Sequence, residues 1–304
     1  MPLTRRAALT GAATLPLALA GASVTQAAAP MMGIGSAPFR RVKLGDFEVT
    51  TILAGTRPVP DPQKIFGMNV SADEFTKVSA NAHIPIDVAQ FFFTPTVVNT
   101  GAELILFDSG LSGPATTTAL ASAGYAADDI DAVVITHMHG DHIGGLMTGN
   151  SPTFPNARYI TGSVEYDAWE MSGNDLFEAN MVPLAERTTF IDPGTDVSSG
   201  ITSVEAYGHT PGHMAYMLES GGKQLLLAAD TANHYVWSLA YPDWEVRFDK
   251  DKAAAAATRR KIMGMLAADK IPMVGYHMPW PGIGYVDTHA DGFHFVPQSY
   301  QLML

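Results

Sequence analysis

The stretch VVITHMHGDHIGG, residues 133–145, places His137, His139, Asp141 and His142 within six positions, after an apolar run and before two glycines. A short continuous apolar run is typical of a strand that is buried on both faces. The polar residues are therefore predicted to lie in a loop at the carboxyl end of a strand, the edge at which open α/β sheets bind ligands. In such a loop His137 and His139 can converge on one metal ion, while Asp141 and His142 face a second ion.

Composition narrows both the class of protein and the chemistry of the site. The chain has 304 residues, of which 47% are hydrophobic and 16% charged, as expected of a globular protein with a large core. Its net charge of −12 argues against nucleic acid as a partner, because little basic surface is left to neutralise phosphates. The absence of cysteine leaves only nitrogen and oxygen as metal ligands, which favours zinc but also suits iron, cobalt or manganese.

The N-terminal residues 1–29 are predicted to be an export signal rather than part of the fold. Arg5 and Arg6 precede a weakly hydrophobic stretch that ends in small residues, a pattern typical of the Tat route, with an ordinary Sec signal as the alternative. Gly11, Pro16 and Gly21 interrupt the stretch, which disfavours a membrane anchor. We expect a periplasmic or secreted protein with one domain over residues 30–304.

Along that domain, residues 40–55 are predicted to form a β-hairpin, and residues 114–124 and 251–268 to form helices. Residues 55–95 are expected to be irregular, because four prolines interrupt the segment. Three further polar residues end predicted strands: Asp108, Asp230 and His277.

Four motifs, THMHGDH, GHTPGH, LLLAAD and GYHMPWPG, resemble those of the metallo-β-lactamase superfamily in the same order. The resemblance implies an α/β fold, a four-layer αββα sandwich with a dinuclear metal site at the sheet edge. It implies His137, His139 and His213 as ligands of one ion, and Asp141, His142 and His277 as ligands of the other. Asp230 is then shared by both ions, and Asp108 is expected to orient a ligand histidine.

Shorter motifs, including LGDFEVT, FPNA, PGIG and GFHFVP, resemble the methyl parathion hydrolase branch and its lactonase and arylesterase relatives. This implies a hydrolase of neutral apolar esters, namely lactones, aryl esters or organophosphate triesters, and a homodimer. The nucleophile would be a hydroxide shared by two divalent ions, most readily Zn²⁺, with Asp141 and Asp230 as the catalytic carboxylates. Gly140 and the TANHYVW segment after Asp230 depart from the organophosphate hydrolases, which bears on phosphotriester activity.

Other residues are candidates for contact with a small-molecule substrate. Phe93, Trp169, Phe177 and Trp280 are expected near the pocket, with ordinary core packing as the alternative for each. His234, four residues after Asp230, is a candidate proton donor to the leaving group, or else a structural histidine. His209 is predicted to be structural.

Several other activities use the same fold. A true β-lactamase and a thioester hydrolase of the glyoxalase II kind are compatible with these ligands. A nuclease is disfavoured by the negative charge. A flavin-linked electron-transfer protein is disfavoured by the intact motif, and a metal-binding module without catalysis would have little use for seven ligands.

Overall fold

The apolar run before the metal motif, Ala132–Val134, is a fully buried strand in the middle of a seven-stranded sheet. The computed structural model describes residues 35–300, so the predicted export signal lies outside the described residues. Among the described residues, those from Ala37 onward form one compact unit.

The strands, in chain order, are β1 (Phe39–Leu44), β2 (Phe47–Ile52), β3 (Gly55–Pro60), β4 (Val88–Phe93), β5 (Thr96–Asn99), β6 (Leu104–Phe107), β7 (Ala132–Val134), β8 (Met147–Thr148), β9 (Ser151–Pro152), β10 (Arg158–Gly162), β11 (Thr188–Ile191), β12 (Asp196–Ser198), β13 (Ile201–Glu205), β14 (Met214–Ser220), β15 (Lys223–Ala229), β16 (Met273–Gly275), β17 (Ile283–His289) and β18 (Gly292–Pro297). The α-helices are α1 (Ala72–Asn81), α2 (Gly113–Ser122), α3 (Gly140–Ile143), α4 (Ser163–Glu170), α5 (Asp175–Asn180) and α6 (Lys252–Asp269). Short 3-10 helices cover Pro62–Lys64, Ala127–Asp129 and Val182–Arg187.

Two seven-stranded sheets face each other, with strand orders β1-β2-β5-β6-β7-β10-β11 and β12-β13-β14-β15-β16-β17-β18. One buried cluster lies between them and joins, for example, Val134 of the first sheet to Tyr216 of the second. The outer face of the first sheet packs against α2, α4 and α5, and that of the second against α6. The layers are therefore helix, sheet, sheet, helix, which is the predicted αββα sandwich.

Parallel pairing decides where the polar residues meet. Strands β6, β7 and β10 run parallel in the first sheet, and β15 and β16 run parallel in the second. Because parallel strands end at the same edge, the loops after β6, β7, β15 and β16 lie together. The predicted metal ligands are in those loops and in the turn between β13 and β14.

The segment 55–95, expected to be irregular, contains the hairpin β3–β4 and helix α1. This prediction was wrong because the prolines lie outside helix interiors and central strands, where proline would break the hydrogen-bond pattern. Pro58 and Pro60 lie in β3, which pairs only with β4, and Pro85 follows the end of α1. The helix also has its own start signal, since the Ser71 hydroxyl accepts a hydrogen bond from the Glu74 backbone N–H.

Within residues 35–300, no helix is both long and apolar enough to cross a membrane.

Candidate metal centre

The edge where the strands end holds two adjacent groups of metal-donor atoms. Side-chain atoms of His137, His139, His209 and Asp230 lie within 4.8 Å of one another, and so do those of Asp141, His142 and His277. We call these the first and the second donor set. Six of the seven ligands implied by the sequence fall in the two sets.

The first donor set is closely packed. The Nε2 atom of His137 lies 3.0 Å from Nδ1 of His139, which in turn lies 2.9 Å from Nε2 of His209. The Oδ2 atom of Asp230 lies 3.3 Å from Nε2 of His209 and 3.9 Å from Nε2 of His137.

The second donor set uses the same carboxylate. Asp141 Oδ2 lies 3.2 Å from Nε2 of His277 and 3.7 Å from Nε2 of His142. Asp230 reaches both histidines, with Oδ1 at 3.5 Å from Nε2 of His142 and Oδ2 at 3.4 Å from Nε2 of His277. Asp230, a member of the first set, therefore also lies within 3.5 Å of two histidines of the second.

The spacing fits divalent ions. Two ligands with bonds of about 2.0–2.1 Å to a tetrahedral zinc lie roughly 3.3 Å apart, close to the distances in both sets. Nε2 of His142 and Oδ1 of Asp230 are buried and have no hydrogen-bond partner among the described residues. The Nδ1–H of His142 already donates to Asp108, and nearby carboxylates raise the pKa of His142 well above its usual range although burial opposes this. The space between its Nε2 and the Asp230 oxygen therefore favours positive charge, from a proton or from a metal ion. A cation between them satisfies both atoms.

The charge balance supports the same conclusion. Burial lowers the pKa of His139 and of His213 to about 3, and that of His137 well below its usual range, so these imidazoles are neutral. Burial opposes charge on His142 and His277 as well, but nearby carboxylates raise the pKa of His142 well above its usual range and that of His277 to about 10, so these two would lose a proton on binding a metal. Burial alone would raise the pKa of Asp141, but the neighbouring His142 and His277 lower it to about 2. Buried carboxylates require compensating positive charge, which divalent ions supply.

Asp108 supports two of the histidines. It is 2% exposed and follows β6 with φ of 60°, a left-handed conformation that Asp tolerates better than most residues. One carboxylate oxygen accepts hydrogen bonds from Nδ1–H of His142 (2.8 Å) and from the Thr136 hydroxyl (3.0 Å). That hydroxyl lies 3.1 Å from Nδ1 of His137. Asp108 thus orients His142 directly and His137 through Thr136.

Glu165, on α4, is a functional residue that the sequence analysis missed. Its side chain is fully buried and accepts hydrogen bonds from the backbone N–H of Met138, the hydroxyl of Thr210 and the backbone N–H of Gly212. Met138 lies between His137 and His139, so one carboxylate joins both ligand loops. A Cβ atom at Gly212 would lie 2.2 Å from the Glu165 backbone nitrogen, so only glycine allows this approach. No sequence motif marks Glu165, because its partners are backbone groups distant in the chain.

The two histidines of GHTPGH have different surroundings. His209 contacts carboxylates through both nitrogens, with Nδ1 at 2.8 Å from Asp249 and Nε2 near Asp230. His213 donates from Nδ1 to the carbonyl of Ala206 (3.0 Å), and its Nε2 accepts from the backbone N–H of Asp230 (3.2 Å). His213, the predicted ligand, lies beside the first donor set with its ring 5.0 Å from that of His137. The structure also places His209, which was predicted to be structural, in the first donor set.

A cavity of about 430 Å³ opens above the donor sets. His139, Asp141, Asp230 and His277 form its floor, and the walls are mostly apolar: Val59, Phe91, Phe93, Leu111, Leu176 and Phe248. The rings of Phe91 and Phe93 lie edge-on to His277, with centroids at 5.4 Å and 5.6 Å. This size and lining are typical of a small-molecule site.

Of the four predicted pocket aromatics, only Phe93 lines this cavity. Trp169 packs in the helix-facing core with its edge toward His139, at 5.6 Å between centroids. Phe177 is fully buried against Tyr166. Trp280 is half-buried, precedes a cis peptide bond to Pro281 and lies outside the cavity lining.

His234, the predicted proton donor to the leaving group, does not lie beside the metal-donor atoms. Its Nδ1 accepts hydrogen bonds from the backbone N–H groups of Val236 and Trp237, each at 3.1 Å. Its ring stacks on Trp237 at 4.1 Å and lines a separate cavity of about 310 Å³. The lining of the cavity above the metal-donor atoms does not include His234, and His277 is the residue common to both linings.

Comparison with known proteins identifies the family to which the chain belongs. Residues 94–273 match the family model of the metallo-β-lactamase superfamily, which is more than half of the chain. This stretch contains the first motif, the GHTPGH turn and Asp230.

Among curated proteins, the chain is 40% identical over 115 residues to the anti-Pycsar protein Apyc1 of Paenibacillus sp. (strain J14), covering 32% of this chain and 46% of that protein. It is 27% identical over 148 residues to an N-acyl homoserine lactonase of Bacillus cereus, covering 49% of this chain and 56% of the lactonase. The matches thus span about half the length of these relatives.

Solved structures match over more of the chain. AidC, a dizinc quorum-quenching lactonase in complex with a product, superposes with a TM-score of 0.80 at 26% identity, covering 87% of this chain and 98% of AidC. The hydrolase AbOPH of the β-lactamase superfamily superposes with a TM-score of 0.80 at 23% identity, over 88% of this chain and 100% of AbOPH. At this identity the similarity shows a common fold.

Proposed function

The chain belongs to the metallo-β-lactamase superfamily, and on that premise we propose that it is a metal-dependent hydrolase of lactones and aryl esters. One observation carries the proposal: two donor sets share Asp230 at the floor of a mostly apolar cavity. The cofactors we propose are two divalent cations, most readily zinc. When bound, such ions make water acidic enough to act as a nucleophile at neutral pH and polarise a carbonyl oxygen.

The residues of the chain would hold the metal ions, orient the ligands and exclude bulk water. The two donor sets hold the ions, while Asp108 and Glu165 keep the ligands and their loops in place. The aromatic wall formed by Phe91, Phe93 and Phe248 keeps bulk water from the floor of the cavity. In the reaction, water supplies its hydroxyl group to the acyl carbon and its proton to the oxygen of the broken C–O bond.

The lining of the cavity also indicates that water is the nucleophile. It contains no serine, threonine, cysteine or lysine side chain. A covalent acyl-enzyme step through a hydroxyl, thiol or amine therefore has no nucleophile within the described lining.

Two observations favour lactones and aryl esters over phosphotriesters. The lactonase among the solved structures is similar over nearly its whole length. In addition, a Cβ atom at Gly140 would lie 2.8 Å from Cδ1 of Leu176, which lines the cavity. A proline there, as in the organophosphate hydrolases that the motif resembles, would displace Leu176 and reshape this wall.

The test compares kcat/KM for an aromatic lactone and for a dimethyl aryl phosphotriester on one zinc-loaded preparation. The ratio measures the difference in transition-state stabilisation directly, and we expect the lactone to be preferred by about tenfold or more. Asp230→Asn is the inactive control, since it removes the carboxylate common to both donor sets. Absence of turnover of the lactone and of aryl esters by zinc-loaded protein would contradict the proposal.

We also propose that the protein is exported through the Tat route and forms a homodimer. The first rests on the twin arginine, Arg5 and Arg6, and the second on the resemblance to dimeric relatives. Fractionation of a bacterial host with and without a working Tat system tests the first, and light scattering of the purified protein tests the second. Cytoplasmic retention in both hosts, or a monomeric mass, would contradict the respective proposal.

A further inference from the structure

Most arginine side chains in the described part of the chain are hydrogen-bonded. Residues 35–300 contain eight arginines, and six of them donate at least one side-chain hydrogen bond: Arg40, Arg41, Arg158, Arg187, Arg259 and Arg260. Arg57 and Arg247 are the other two. Within the described part of the chain, neither has a side-chain hydrogen bond or a carboxylate within salt-bridge distance.

These two arginines flank the same wall of the cavity. Arg57 lines it and lies directly across the β3–β4 pair from Phe91. The guanidinium of Arg247 lies over the ring of Phe248, 5.0 Å from its centroid. Phe91 and Phe248 contact each other edge to face, with centroids 6.2 Å apart. Both arginines are exposed. Arg57 lines the cavity itself, whereas Arg247 lies outside the lining and is next to it through its contact with the Phe248 ring.

Two unpaired arginines are unexpected in a chain with 30 acidic and 18 basic residues. The only carboxylates that line the cavity are Asp141 and Asp230, and both are directed at the histidines on its floor. Arg57 in the cavity lining and Arg247 beside it thus have no carboxylate partner among residues 35–300. A guanidinium presents a planar set of donors that matches carboxylate and phosphate oxygens.

We propose that the substrate carries an anionic oxygen group, a carboxylate or a phosphate-like group, distant from the bond that is cleaved, and that Arg57 and Arg247 bind this group at the mouth of the cavity. This inference rests on the proposed hydrolase function and revises the neutral substrate expected from the sequence. The apolar wall between the mouth and the floor then receives the chain that joins the anion to the ester.

Matched esters test the proposal on the zinc-loaded protein. The first is 4-nitrophenyl hexanoate, and the second is the 4-nitrophenyl monoester of adipic acid, which has the same acyl length but ends in a carboxylate. A third, with a terminal phosphonate, separates phosphate-like groups from carboxylates. We expect kcat/KM to favour an anionic ester by about tenfold and this preference to fall as salt is added.

Arg57→Met and Arg247→Met should each reduce several-fold the ratio of kcat/KM for the anionic ester to kcat/KM for the hexanoate ester. Arg57→Lys should restore part of it, because it restores the charge but not the planar donors. Arg40→Met is the matched control, since Arg40 is exposed on β1 and lies outside the cavity lining. If all esters are hydrolysed alike, or if the anion preference survives in the double methionine variant, the proposal is overturned while the hydrolase function stands.

A binding measurement keeps the proposal testable without turnover. Calorimetry compares the adipic acid monoanilide with hexananilide, which differ only in the terminal group. Tighter binding of the anion that is lost in the double methionine variant supports the proposal, and equal binding of the two anilides overturns it. Loss of ester turnover with the binding preference intact would contradict only the proposed function.

Discussion

At the scale of single residues, Asp108 shows how the protein prepares its ligands. Its carboxylate accepts one backbone and one hydroxyl hydrogen bond from Thr136 and one hydrogen bond from His142, so the His142 ring is held directly and the His137 ring through Thr136. Such supporting carboxylates set both the tautomer and the direction of a metal-binding imidazole.

We expect Asp108→Asn to weaken zinc binding by about 10–100-fold, because an amide cannot serve all three donors with one oxygen. Competition with a chromophoric chelator measures the change. The matched control is Asp131→Asn, which removes a carboxylate that accepts from the backbone N–H of Leu104, away from the donor sets. Unchanged zinc affinity in Asp108→Asn would show that Asp108 has no part in holding the ligands.

The two histidines of GHTPGH give a second prediction. His209 lies between two carboxylates, so both of its nitrogens act as hydrogen-bond donors. His213 donates from Nδ1, and the lone pair on its Nε2 accepts from the backbone N–H of Asp230, a lone pair that a metal ion would take instead. We therefore expect His213→Ala to reduce the zinc content from two equivalents to one. His209→Ala should retain two equivalents with weaker binding of the first. The reverse pattern in elemental analysis would make His209 the ligand.

At the scale of elements, α4 fastens two loops that are far apart in the chain. Glu165 accepts hydrogen bonds from groups in the loop after β7 and from the turn between β13 and β14. The first donor set depends on both segments, so its geometry depends on this helix.

Glu165→Gln should lower both the melting temperature and the affinity for zinc, since the amide group faces backbone N–H donors that need an acceptor. The loss of one or two buried hydrogen bonds is worth roughly 1–3 kcal/mol each. Glu170→Gln, at the exposed end of the same helix, is the control. If Glu165→Gln lowers stability but leaves zinc affinity unchanged, the carboxylate supports the fold and not the donor set.

How much could be predicted from the sequence also differs between elements. The hairpin of residues 40–55, the helix that contains residues 252–268 and the strands before Asp230 and His277 follow local patterns and were predicted. Helix α1 and the hairpin β3–β4 were not, because prolines were counted without regard to edge position. The roles of Glu165 and Arg57 depend on contacts between distant segments, which no local pattern reports.

At the scale of the whole molecule, Glu103 links the two sheets. Its carboxylate accepts from Arg158 of the first sheet at 2.6 Å and from Ser198 of the second at 2.7 Å. The hydrogen bond from Arg158 lowers the pKa of Glu103 below its usual value of 4.5.

Because the folded-state pKa lies below the unfolded value, the stabilisation is complete above about pH 4.5 and is lost as the pH falls through the folded value. Glu103→Gln should therefore cost stability at pH 7, by about 0.5–1 kcal/mol since the pair is partly exposed, and cost little at the lowest pH. Urea denaturation at several pH values checks this. An equal loss at pH 7 and at low pH would contradict the ion pair as its source.

The central claim is that the chain holds two divalent ions that share Asp230. Calorimetric titration of the metal-free protein with zinc tests it most directly. The account predicts two equivalents for the wild-type chain, and weaker binding of both in Asp230→Asn. A stoichiometry of one, or of zero, or an Asp230→Asn variant that binds two ions with unchanged affinity, would contradict it.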